Sequence, residues 1–81
     1  MRTEEQVLND FKKLGYKEQY YDVDYYEFVK KIDKHSNHIV IDRNLKLVGS
    51  YMSVYTREYP YSIDLEEHKL LHELFECWGW L

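Results

Sequence analysis

Tyr20-Tyr21-Asp22-Val23-Asp24-Tyr25-Tyr26-Glu27-Phe28-Val29-Lys30-Lys31-Ile32 is the stretch on which the fold turns. Wound as a helix, it aligns Tyr21, Tyr25, Phe28, Val29 and Ile32. Extended, it alternates Tyr26, Phe28, Lys30 and Ile32 against Tyr25, Glu27, Val29 and Lys31. Aromatic and β-branched side chains suit the pleated surface of a strand. The next residues agree. Asp33-Lys34-His35-Ser36-Asn37 reads as a polar turn, and His38-Ile39-Val40-Ile41-Asp42 as a short β run. A hairpin accounts for both, so residues 24–32 are expected to be a strand, with a helix as the rival.

Outward from this hairpin the chain divides simply. Arg43-Asn44 marks a second tight connection, and Lys46-Leu47-Val48 opens another strand, where Gly49 suggests a bulge or bend. Tyr51, Ser53 and Tyr55 alternate with Met52 and Val54. Thr56-Arg57-Glu58 is expected to turn the chain. Tyr59-Pro60-Tyr61-Ser62-Ile63 can form an edge strand, where proline costs no ladder bond.

Both ends read as helices. Thr3 and Gln6 have capping-box spacing, Glu4 and Glu5 complement the helix dipole, and Val7, Leu8, Phe11 and Leu14 share a face. Gly15 then stops a helix over residues 4–14. At the other end Asp64 caps a helix with Glu67 three residues on. Leu70, Leu71, Leu74, Phe75, Cys77 and Trp78 form its apolar face, and Gly79 lets Trp80 and Leu81 fold back. The expected fold is α+β, a single domain over residues 1–81. It has an N-terminal helix, a three- to four-stranded antiparallel sheet, and a C-terminal helix packed on one face.

Composition narrows the function classes. The 81 residues carry a net charge of −4, which disfavours non-specific attraction to phosphate backbones. Cys77 is the single cysteine, so no intramolecular disulfide can form. The acidic start lacks the apolar run of a secretory signal, and no stretch approaches the ~20 apolar residues of a membrane span. A cytoplasmic protein without membrane association is the expectation.

Chemical motifs are sparse. His68 and His72 share a helical face, with Glu76 one turn further, but a metal needs a third or fourth ligand from elsewhere. His35 and His38 flank the expected turn. Cys77 falls on an apolar face, where a thiol acts as a small hydrophobe. Ser50, Ser53 and Ser62 have no motif context, and no glycine-rich phosphate loop is present. No cofactor, metal or catalytic residue is expected, and the protein is read as not an enzyme.

Nine tyrosines are the most informative feature. Tyrosine is enriched where protein surfaces meet, because it gives a rigid apolar ring with a polar tip. Residues 20–27 hold three acids and no base. Tyr20, Tyr21, Asp22, Asp24, Tyr51, Tyr59 and Tyr61 are therefore the candidate residues of an acidic, tyrosine-rich surface that binds another protein. A homodimer would use such a surface equally well. The alternative is a sheet that stacks single-stranded nucleic acid on tyrosines, with Lys30, Lys31, Arg43 and Lys46 tracking the backbone.

The opening Glu4-Glu5-Gln6-Val7-Leu8-Asn9-Asp10-Phe11-Lys12-Lys13-Leu14-Gly15-Tyr16 resembles that of small uncharacterised proteins of phages and prophages of Gram-positive bacteria. The ending from Ile63 to Trp80 resembles theirs more closely. The resemblance covers about a third of the chain and is confined to its two ends. It implies a bacterial cytoplasm and transfers no catalytic residue.

Overall fold

The computed structural model describes residues 2–20 and 23–81. Helix α1 spans Glu4–Lys13. Five strands follow, β1 (Lys17–Tyr20), β2 (Tyr25–Ile32), β3 (His35–Asp42), β4 (Leu47–Val54) and β5 (Arg57–Pro60). Helix α2 spans Leu65–Cys77. The strands form one antiparallel meander in the order β1-β2-β3-β4-β5. The class is α+β, as expected, with five strands in place of three or four. Two compact units compose the chain, the helical ends (1–15 with 63–81) and the sheet (16–62).

In the helical unit, α1 and α2 pack against each other. Both carry complete capping boxes. Thr3 Oγ1 accepts from Gln6 N–H while Gln6 Oε1 accepts from Thr3 N–H, and Asp64 and Glu67 repeat the exchange. Val7 and Phe11 of α1, and Leu70, Leu71 and Leu74 of α2, are buried. Arg2 binds Asp10 of α1 and Glu73 of α2 together. Those hydrogen bonds raise the guanidinium's pKa and hold the Asp10 carboxyl below its usual range. Trp78 Nε1–H donates to Glu4 Oε1 at 2.9 Å, a second tie between the helices.

The end of α2 shows why Gly79 is needed. Its φ is +75°, which a Cβ would make costly. That turn lets Trp80 N–H reach Phe75 O at 2.9 Å and Gly79 N–H reach Glu76 O at 3.0 Å. The Trp80 ring then stacks on Phe75, with centroids 5.0 Å apart. This is the fold-back expected from the sequence, with the apolar contact that accompanies such caps. Cys77, expected on the apolar face, is half-buried, and its thiol donates to the Arg2 carbonyl at 3.2 Å.

In the sheet unit, the decisive stretch is a strand from Tyr25 onward. Its turn is tighter than expected. Ile32 pairs with His35, so Asp33 and Lys34 alone make the connection and β3 begins at His35. Asp33 adopts φ 54°, a conformation that aspartate tolerates. Gly49 makes no bulge, since β3 and β4 pair without a break from His35↔Val54 to Asp42↔Leu47. The last connection is Tyr55-Thr56 rather than 56–58, which moves β5 to Arg57–Pro60. Strand β1 was not anticipated. Lys17-Glu18-Gln19-Tyr20 has no apolar alternation and is extended by pairing with β2.

Tyr55 sits at the tip of that last hairpin with φ 58° and 77% of its surface exposed. A bulky side chain in this region is strained. Tyr55→Gly is expected to stabilise the fold by about 1 kcal/mol, because glycine carries no Cβ penalty there. Thermal melts check this: the midpoint rises, whereas a drop would mean the ring makes contacts that outweigh the strain.

Candidate functional site

Pairing sorts the sheet into two faces. Tyr26, Phe28, Lys30 and Ile32 share one with Ile41, Ile39, Asn37 and His35, and with Val48, Ser50, Met52 and Val54. On it Tyr26, Phe28, Ile39 and Ile41 are buried. Tyr16 lies edge-on to Phe28 and beneath Lys30 Nζ, 5.6 Å from its ring centroid. The other face carries Tyr25, Glu27, Val29 and Lys31, then Asp42, Val40, His38 and Ser36, then Leu47, Gly49, Tyr51 and Ser53.

That second face holds a buried polar array. Glu27 is 0% exposed although it is a carboxylate. Its Oε1 lies 2.5 Å from His38 Nδ1, and His38 Nε2 lies 2.7 Å from Ser36 Oγ. An ionised carboxylate only accepts, so Nδ1 carries a proton. In neutral His38, Nε2 then accepts from the Ser36 hydroxyl. The Tyr51 ring stacks flat on His38, with centroids 4.4 Å apart and planes 2° apart. Glu27 Oε2 has no hydrogen-bond partner among the described residues.

Burial pushes the Tyr51 hydroxyl above its ordinary pKa of 10.0, and the negative charges of Glu27 and Glu58 push it further. The unfolded chain therefore loses this proton first. Its stabilising contribution is complete below about pH 10 and is lost as pH rises through the folded value. Tyr51→Phe is expected to flatten the alkaline fall in stability, measured by urea melts between about pH 9 and 11.

At the opposite end of the sheet lies an exposed apolar group. Arg43 N–H donates to Asp24 O at 2.7 Å, which joins the loop before β2 to the turn after β3. This brings Val23 (87% exposed), Tyr25 (42%), Leu45 (63%) and Leu47 (60%) to one end of the sheet, while Val48 (47%) projects from the opposite face. Tyr25, Asp42 and Leu47 lie side by side on neighbouring strands. Asp42 Oδ1 accepts from Asn44 N–H and Leu45 N–H, which shapes the turn. Asp24 and Asp42 contribute negative charge here, Arg43 and Lys46 positive.

Across the protein-family models, the curated proteins and the solved structures, nothing matches this chain.

The sequence-derived candidates do not all meet. Tyr21 and Asp22 lie outside the described residues, and Tyr20 is described only through its backbone pairing with Tyr26. Asp24 is exposed at the apolar end. Tyr51 is half-buried against His38. Tyr59 pairs with Met52 and so projects from the face opposite Tyr51. Tyr61 is half-buried, and its carbonyl accepts from Ser50 Oγ at 2.5 Å. Lys30 and Lys31 point to opposite faces, so they form no single basic track. On α2, His72 Nε2 lies 3.1 Å from Glu76 Oε1 and His68 is exposed. Among the described residues no three His, Cys, Asp or Glu side chains gather as a metal site, and no helix is long and apolar enough to cross a membrane.

The array of Glu27, His38 and Ser36 escaped the sequence reading. A five-residue turn places His38 at a strand's start. A two-residue turn places it mid-strand, on the face shared with Ser36 and diagonal to Glu27. The legible signal was Ser36-Asn37-His38 at period two, opposite an acid inside an apolar run.

Proposed function

We propose that this chain is a protein-binding module that docks through the apolar end of its sheet. The observation that carries this reading is the placement of Val23, Tyr25, Leu45 and Leu47 at one end of the sheet, all with large exposed surface. Apolar side chains scattered singly are ordinary, whereas a contiguous group of this kind marks a contact surface. Of the sequence-derived candidates whose side chains are described, Asp24 alone lies at this surface, so the docking surface differs from the one expected from the sequence.

The chain's net charge of −4 favours a partner with a basic surface, while the mixed charges of Asp24, Asp42, Arg43 and Lys46 around the apolar site select orientation. The resemblance of the two chain ends to phage and prophage proteins supports a bacterial host protein as that partner. A host protein that ordinarily binds nucleic acid fits best, because such proteins already present basic surfaces.

Photo-crosslinking in bacterial cytosol tests the reading. A photoreactive residue at position 45 or 47 is expected to give one discrete adduct that the Val23→Ser, Leu47→Ser variant loses. Probes at 12 and 69 should give none. Serine at such exposed sites changes stability by no more than about 0.5 kcal/mol, so a loss reports contact and not unfolding. Adducts of the chain with itself would reassign the surface to a homodimer. Equal, diffuse labelling from all four positions would remove the proposal.

A further inference from the structure

We propose that Ser36 is a nucleophile that accepts the acyl group of small activated esters, with His38 as its base and Glu27 as the residue that positions His38. This goes beyond the docking surface and stands at the other end of the sheet, so either can fail alone. From Ser36 to Asp42 is six residues along β3, about 20 Å.

Nucleophilic catalysis by serine needs a base in hydrogen-bond reach and a third group that orients the base. Distances of 2.7 Å from Ser36 Oγ to His38 Nε2 and 2.5 Å from Nδ1 to Glu27 Oε1 meet both needs. The orienting carboxylate is buried with its second oxygen unpartnered among the described residues, so its charge is directed at the imidazole. The Tyr51 ring stacked on His38 holds the imidazole plane. These relations, rather than sequence order, define such an arrangement.

The serine end is open. Ser36 opens on a depression of about 250 Å³ whose walls include Lys31, Lys34, Ser53 and Tyr55. Lys31 and Ser53 are the direct cross-strand partners of Ser36 on either side. Facing side chains on adjacent strands start about 5 Å apart. An ammonium and a hydroxyl thus flank the place where a carbonyl oxygen becomes an oxyanion. The strained Tyr55 forms part of the wall, and strain of this kind collects at functional sites. The volume falls below the roughly 300–1,000 Å³ of pockets for drug-sized ligands, which points to short acyl chains. Asp33, in the same wall, and Glu58, paired with Ser53, disfavour a second negative charge on the ester.

In the reaction, Ser36 Oγ bonds to the ester carbonyl carbon as its proton passes to His38 Nε2. The bond to the leaving oxygen breaks, and that oxygen departs with the proton from His38. Water then attacks the acyl-serine, again giving its proton to His38. The carboxylic acid leaves and the Ser36 hydroxyl is restored.

The test uses the full chain with p-nitrophenyl acetate, following p-nitrophenol release and locating acetyl by peptide mass spectrometry. A fluorophosphonate, which labels activated serines, is the second probe. Acetyl and phosphonyl groups on Ser36 are expected, with labelling abolished in Ser36→Ala. In Glu27→Gln the rate should fall about 10²-fold, the scale of general acid–base assistance. That variant should also lose the low-field Nδ1–H proton resonance of His38, while circular dichroism stays that of the wild type. Labelling confined to lysines, an unchanged rate in Ser36→Ala, or an unreactive wild type would each overturn the proposal.

Discussion

Phe28→Ala removes a large part of the protein's stability. Phe28 is fully buried on β2, 5.1 Å from the Tyr26 ring, 6.5 Å from Tyr16 and opposite Ile39. Truncating a buried phenylalanine costs about 3–5 kcal/mol, the sum of lost burial and the cavity left behind. A chain of this length has about 4–12 kcal/mol in total, so the variant loses roughly a quarter of it or more. Thermal melts followed by circular dichroism should show a fall of roughly 15–30 °C. A fall of less than about 5 °C would mean that the site collapses around the missing ring.

His38→Leu is expected to cost nearly as much, for a different reason. The Glu27 side chain is 1% exposed and His38 14%, so the pair sits in a medium that screens little. Deleting the imidazole leaves a buried carboxylate without its hydrogen-bond donor, a loss of about 3 kcal/mol or more. Replacing both partners, Glu27→Leu with His38→Leu, should recover that loss and can exceed wild-type stability by about 1 kcal/mol or more. Urea melts of the two single variants and the double variant measure the coupling. If the singles and the double simply add, the short Glu27–His38 contact carries no energy and the positioning role of Glu27 goes with it.

Phe28→Ala and Glu27→Gln together separate packing from chemistry. Phe28 lies on the face that buries Tyr26, Ile39 and Ile41, and Glu27 on the other. Loss of Ser36 reactivity in Phe28→Ala would only follow unfolding, whereas its loss in a folded Glu27→Gln reports on the imidazole.

Much of the local structure was legible because short-range rules decided it. The capping boxes at Thr3–Gln6 and Asp64–Glu67, and the αL turns at Gly15 and Gly79, depend on neighbours a few residues apart. The strand at 25–32 was legible from β-branched and aromatic content. Turn lengths were not. A polar run from Asp33 to Asn37 reads as loop, yet the ladder bonds gained by pairing His35, Ser36 and Asn37 with both β2 and β4 draw those residues into β3. Strand β1 is a similar case, since β2 supplies the partner that its own composition does not announce.

The candidate sites divide along the same line. Tyrosine among acids at residues 20–27 pointed to a contact surface, and its described portion does reach an exposed apolar group. That group is completed by Leu45 and Leu47, about 20 residues away, which only the adjacency of β2, β3 and β4 could supply.

Residues within one helical turn or one tight turn of each other settled the helix ends and the α+β class, because their energies involve only near neighbours along the chain. Register across the strands settled which side chains share a face, since a shift of one residue sends every side chain to the opposite side. Glu27, His38 and Ser36 therefore became a single array only when a two-residue turn set that register.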